Sequence, residues 1–194
     1  FKDASPVAVG AFAVAMALFA VGFQVHFSVN SAPAYLKHAQ PSDLEHLMPV
    51  FWIGFNLLML PATLLARRYG GVPVMAIAGV VGVLSAWFAG RAPTLDALIV
   101  AQFVVGGAWG VMLMSAFTTA LAVGHAGHEG NVTGLLFSML AVAALARIAF
   151  VSAEMPKQPV IAEWLPLLPV VVWGLGAILV MTLGLRKAEA ASAS

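Results

Sequence analysis

The chain has 194 residues, 62% hydrophobic and only 9% charged, with nine Lys/Arg against eight Asp/Glu and a mean hydropathy of +0.99. A soluble domain carries roughly 25% charged residues, and surface-to-volume scaling stops a globule of this size from hiding so large an apolar share, so a soluble enzyme and a disordered linker are excluded. A formal net charge of +1 and zero cysteines remove the basic face that nucleic acid requires and with it disulfides, thiolate metal sites and cysteine nucleophiles.

A bilayer core of about 30 Å takes roughly 20 mostly apolar residues per helix. Six stretches meet that, at approximately 7–30, 47–66, 71–90, 94–123, 131–152 and 164–185. The expected fold is therefore all-α: one six-helix transmembrane bundle over residues 1–187 and a flexible tail at 188–194. The runs are continuously apolar, not alternating, which excludes membrane strands. Pro33 and Pro41 bracket the first loop, Gly70, Gly71 and Pro73 mark the second, and Pro93 opens the fourth helix. Gly124 to Gly130 form the next turn, and Pro156 and Pro159 precede the sixth helix. The first residue is Phe1 and no cleavable signal pattern follows it, so the chain is expected to begin partway through a longer product. Lys2, Arg67, Arg68, Arg186 and Lys187 fall on one side of the membrane, and Lys37, Arg91 and Lys157 on the other, with Arg147 near it. That bias places both termini in the cytoplasm. Tyr35, Trp87 and Trp164 would then mark the outer interface and Tyr69 the inner one. The alanine-rich composition points to a bacterial inner membrane.

The first helix ends in a polar run, with Gln24, His26, Ser28, Asn30 and Ser31 inside or just beneath the bilayer. His26 and Asn30 are four apart and share a face. Polar side chains in hydrocarbon are costly and turn toward protein or a water-filled cavity, so Gln24, His26 and Asn30 are candidates for a cavity wall that hydrogen-bonds a solute. Helix–helix bonding is the alternative. His26 titrates near neutrality and is also a candidate proton carrier. Asn56, between Trp52 and the kink-forming Pro61, is a candidate solute contact on the second helix.

On the fourth helix Gly106 and Gly110 form a small-xxx-small face suited to close backbone approach. Gln102 extends that stripe, and Gln102 and Trp109 complete the candidate wall. Arg147 is the charged residue well inside an apolar run. Its stem can snorkel to the headgroups; otherwise it reads as a structural ion pair with Glu154, seven residues on, or as an anion contact. His125, His128 and Glu129 form a short turn without the further ligands a zinc site needs. The outer-loop set of His38, Asp43, Glu45 and His46 reads as solvated. No catalytic residue, cofactor or metal site is expected, since no Walker loop, dinucleotide fingerprint or metal motif is present.

Aligning the second and fifth helices at an offset of 80 pairs Gly54 with Gly134, Met59 with Met139, Leu60 with Leu140, Leu65 with Leu145, Ala66 with Ala146 and Arg67 with Arg147. Two helices crossing in opposite directions would make helices 1–3 and 4–6 inverted repeats. Between helices 2 and 3 the chain reads Thr63-Leu64-Leu65-Ala66-Arg67-Arg68-Tyr69-Gly70-Gly71. This resembles the Gly-x-Leu-Ala-Asp-Arg-x-Gly-Arg loop of the major facilitator superfamily, with Leu65, Ala66, Arg68 and Gly70 in register and Arg67 in place of the Asp. The run from Glu129 to Ser138 is similar to the segment that opens the family's eleventh helix. The resemblance is to helices 7–12 of a twelve-helix transporter. It implies a 3+3 inverted-repeat bundle, alternating-access transport of a small-molecule substrate, a gating loop at Arg67, Arg68 and Gly70, and an N-terminal six-helix half or a second bundle as partner. The alternative is a non-transporting accessory or assembly subunit of a larger membrane complex. Both require the lipid bilayer, and neither involves nucleic acid.

Overall fold

A computed structural model describes the backbone of residues 6–123 and 129–192, and the side chains of residues 7–121 and 130–183. Lys2, His125, His128, Glu129, Arg186, Lys187 and the end of the tail fall outside the described side chains. Among the described residues the chain is helical without strands. It runs through α1 (Pro6–Val25), a π-helical turn (His26–Asn30), α2 (Ser31–Tyr35), α3 (Leu44–Leu47), α4 (Pro49–Tyr69), α5 (Gly71–Ala89), α6 (Leu95–Val123), α7 (Glu129–Ser152), α8 (Pro159–Trp164) and α9 (Leu168–Ser192).

Five stretches are long and apolar enough to cross a membrane: Val7–Tyr35, Pro41–Tyr69, Gly71–Ala89, Leu95–Leu121 and Gly130–Ser152. The side chains they leave outside are large and apolar, with Leu60 69% and Leu145 66% exposed. This is the character of a multi-pass membrane protein. The sixth expected segment differs. Its described apolar part, Leu168–Leu183, is roughly 24 Å long at about 1.5 Å per residue, short of the bilayer core, although the helical backbone continues to Ser192. It also starts later than expected. Pro166 and Pro169 each lack an N–H, so the chain makes the separate α8 and restarts at Leu168, with Pro169 in the first turn where the donor is not needed.

The first segment corrects the expected boundary in the other direction. Pro33 does not end it. The π turn interrupts the regular ladder at His26–Asn30, and Pro33 then occupies the first turn of a new helix. Tyr35 likewise does not face outward as a residue of an aromatic belt would. It is 1% exposed and packs in a cluster with Leu47, Ala89 and Leu98, whereas Trp87, Trp164 and Tyr69 are exposed. The fourth long helix starts just after Pro93: the Ala97 N–H donates to Thr94 Oγ1 at 3.3 Å, and Asp96 lies in the first turn. Helix α4 runs unbroken through Pro61.

Three layers follow from which residues touch. Helices α1 and α6 are central. Met112, Ser115 and Thr119 of α6 meet Gly82 and Gly71 of α5, while Gly106 and Gly110, roughly opposite on the same helix, meet α4. On α1, Phe19 and Gly22 face α9, and Gln24 faces α7. Thus α5 and α9 pack on one side of the central pair, and α4 and α7 on the other.

Glycine makes these contacts close. A β-carbon on Gly54 would strike the Phe103 carbonyl, one on Gly106 the Phe51 carbonyl, and one on Gly110 the Phe55 carbonyl. The α4–α6 pair is therefore backbone against backbone. In the other layer Gly22 and Gly82 open a slot for the Trp173 ring, which is fully buried and donates from Nε1 to the Phe19 carbonyl at 2.8 Å. Gly70 connects α4 to α5 with φ +90°, and the turn seats Gly71 against Thr119.

Gly106→Ala is expected to lose about 1–3 kcal/mol by overpacking, measured by denaturant unfolding in micelles. Gly134→Ala, on the outer face with nothing near its added methyl, is expected to gain up to about 1 kcal/mol of helix propensity. Equal effects at the two sites would contradict the backbone contact.

Candidate functional site

The π turn positions the polar run. His26 and Asn30 sit at its two ends, and Ser31 follows it. The Ser31 hydroxyl donates to the His26 carbonyl at 2.9 Å, and the Gln102 amide of α6 donates to Ser31 Oγ at 3.1 Å. With the Ser31 proton committed to that carbonyl, the atom that reaches Ser31 must be Gln102 Nε2. Gln102 Oε1 is then the atom 2.9 Å from His26 Nε2. An amide oxygen only accepts, so His26 carries its proton on Nε2. The chain of bonds thus fixes a tautomer and leaves His26 Nδ1 as an acceptor. Asn30 makes a separate bond, its amide donating to the Leu165 carbonyl at 2.8 Å.

His26, Asn30 and Gln102 line one cavity of about 300 Å³. It opens at the end of the bundle where α2, α8 and the end of α5 converge, here called the mouth end. Of the expected wall, these three residues are brought together and the other three are not. Trp109 is buried deeper, stacked on Phe23 with ring centroids 4.7 Å apart, inside an aromatic cluster with Phe27 and Phe51. Asn56 is exposed on the outer face of α4 beside Ile53, Leu57 and Leu60, and donates to its own helix at the Trp52 carbonyl, 2.7 Å away. Gln24 turns to α7, where its Oε1 accepts from Arg147 Nε at 3.3 Å.

That bond corrects the expected ion pair. Arg147 pairs with Gln24, and Glu154 pairs with Lys157. Seven residues of helix would bring Arg147 and Glu154 onto one face, but α7 ends at Ser152 and Glu154 adopts a left-handed φ of +55°. The helical periodicity stops before it reaches the carboxylate. The sequence carried no signal for the Gln24–Arg147 bond, which depends on how α1 and α7 are rotated against each other.

At the opposite end, Arg67 and Arg68 are exposed, and the Arg68 guanidinium lies 5.3 Å from the Tyr69 ring centroid. The outer-loop set is exposed too. The Gln40 N–H donates to Asp43, His46 pairs with Glu45, and His38 donates to the Ala92 carbonyl at 3.2 Å, tying the first loop to the one between α5 and α6. Among the described residues no cluster of three or more His, Asp or Glu could hold a metal ion. Comparison with protein-family models, curated proteins and solved structures gives no match.

A double-mutant cycle on His26→Phe and Gln102→Leu tests the polar chain. Each single change leaves a buried polar group unpaired and is expected to cost about 1–3 kcal/mol. The pair is expected to be coupled by about 0.6 kcal/mol or more, the scale of interhelical bonds in membranes. Strict additivity in the unfolding energies would show that the two side chains do not bond.

Proposed function

We propose that this chain is one half of a secondary transporter of the major facilitator type, moving a small solute across a bacterial inner membrane by alternating access, with both termini in the cytoplasm. The observation that carries the reading is the pattern of neighbours. Exchanging α1, α4 and α5 for α6, α7 and α9 turns the α4–α6 contact into α7–α1 and the α5–α6 contact into α9–α1, and maps α5–α9 onto itself. Each of these pairs is in contact, whereas the smaller α4–α5 and α6–α7 contacts have no counterpart of like extent in α7–α9 and α1–α4. Partners in the exchange run in opposite directions, as an inverted repeat demands. In this reading α9 is the sixth crossing. The support comes from the packing and not from the aligned residues: Gly54 is pressed against α6, whereas its counterpart Gly134 faces open space.

A counterpart half would lie against the outer layer. There α4 presents Ile53, Leu57, Leu60 and Leu64, and α7 presents Asn131, Gly134 and Ser138. The solute path would pass this layer, with Asn56 and the half-buried Gln24–Arg147 pair as polar contacts and Arg67, Arg68 and Gly70 at the cytoplasmic gate. The His26–Gln102–Ser31 chain is spent internally and acts as a brace within the half. No bond of the solute is made or broken, so the reading needs no catalytic group.

The chain contains no cysteine, which makes single-site labelling clean. Asn56→Cys and Ser138→Cys, one toward each side of the membrane, are expected to react with a membrane-impermeant maleimide in native membranes, each from its own side. In the double variant, modification of one is expected to slow the other at least fivefold. Reaction only with a lipid-phase reagent, together with purification as part of a stable multi-subunit complex, would replace the transporter by the accessory subunit.

A further inference from the structure

The cavity at the mouth end lies within this one bundle, apart from the outer faces of α4 and α7, and its chemistry is one-sided. His26 and Gln102, 4% and 1% exposed, form its closed end. Lys37, exposed and without an ion pair among the described residues, stands at its open end. Proline, alanine and leucine side chains make up most of the wall between them, Pro33, Ala89 and Ala162 included, and no carboxylate lines it.

The hydrogen-bond accounting at the closed end decides what fits. The Gln102 amide spends one hydrogen on Ser31 and the Asn30 amide one on Leu165, each keeping a second N–H, and the His26 Nε2 proton goes to Gln102. The closed end therefore still offers a guest both an acceptor, at Asn30 Oδ1, and donors, at the second N–H of the Asn30 and Gln102 amides. A complementary ligand carries at one end a group that both donates and accepts, such as a hydroxyl, then an apolar body, and an anion at the other end. The volume of about 300 Å³ is roughly ten waters' share of the liquid, so the guest is small. A second observation points the same way. The closed end is built on the π turn, a rare helical form concentrated at functional sites.

We propose that this cavity binds a small apolar-bodied monocarboxylate bearing a hydroxyl at its far end. The carboxylate pairs with Lys37, and the hydroxyl bonds the Asn30 and Gln102 amides at the closed end. The site stands whether or not the chain transports, because it is assembled entirely within one bundle.

The test is calorimetric titration of the full chain in zwitterionic lipid nanodiscs with para-hydroxybenzoate. Saturable binding is expected, weakened about tenfold for benzoate, which lacks the hydroxyl, and for para-hydroxybenzamide, which lacks the anion. Lys37→Gln, at an exposed position, is expected to weaken para-hydroxybenzoate at least tenfold and to leave para-hydroxybenzamide unchanged. Ala162→Trp, which fills the cavity, is expected to abolish binding with the helical content retained by circular dichroism. No saturable binding to the wild type overturns the proposal, as does equal binding to Ala162→Trp. An unaltered affinity in Lys37→Gln overturns the carboxylate assignment and decides the matter even where the tryptophan variant fails to fold.

Discussion

Lipid gives two apolar helices no hydrophobic reason to associate, and the architecture depends on how this chain answers that constraint. Acyl chains solvate a leucine face as well as another helix does, so cohesion comes from close packing and from polar bonds that lipid cannot make. Gly54, Gly106 and Gly110 bring α4 and α6 together at backbone distance, where many weak dispersion contacts add up. On the other side of the central pair, Gly22, Gly79, Gly82 and Gly176 form slots for Phe19 and Trp173. The indole N–H then finds the Phe19 carbonyl within the protein. Small residues and large aromatics are thus two parts of one device, an absence of side chain on one helix matched by an excess on the next.

The same solvent sets the rule for polar groups. A serine or threonine inside the bundle that bonds back to its own helix costs nothing in partners: Ser85 bonds the Val81 carbonyl, and Thr119 the Ser115 carbonyl. A histidine or glutamine has too many donors and acceptors for that solution. His26 and Gln102 therefore meet each other across α1 and α6, and the contact brings Ser31 with it. This chain sits just above the aromatic cluster of Phe23, Phe27, Phe51 and Trp109. The central pair is consequently held by apolar packing through its middle and by directional bonds toward the mouth end.

Much of this was legible in the residues, for reasons tied to periodicity and hydropathy. Long apolar runs located five of the six expected spans because the bilayer imposes a length. The Gly106/Gly110 spacing announced close packing because three intervening residues return a helix to the same face. His26, Asn30 and Gln102 were expected on a common cavity and line one. The failures share a cause as well. Arg147 and Glu154 were paired by helical spacing across a point where the helix stops. Pro33 was read as a loop residue because a π turn, which resets the register so that proline is tolerated, leaves no mark in composition. Asn56 and Trp109 lie on helices whose rotation about their own axes is fixed by glycine contacts elsewhere, and that rotation sends one outward and the other into the core.

A fully satisfied polar chain and a polar chain with one open valence look alike in sequence, yet they differ in what they permit. Had Gln102 turned its amide nitrogen to His26, the imidazole would have accepted at Nε2 and carried its proton on Nδ1. Nδ1 would then have offered a donor in place of an acceptor. It is Ser31, by donating to the carbonyl of the π turn, that forbids this arrangement: its oxygen must receive a proton, only the amide nitrogen has one to give, and the orientation of the histidine follows. A single hydroxyl one residue beyond the π turn therefore determines which nitrogen of the imidazole carries the proton. The backbone irregularity and the tautomer of the histidine are for that reason one feature of the structure, with the serine as the link between them.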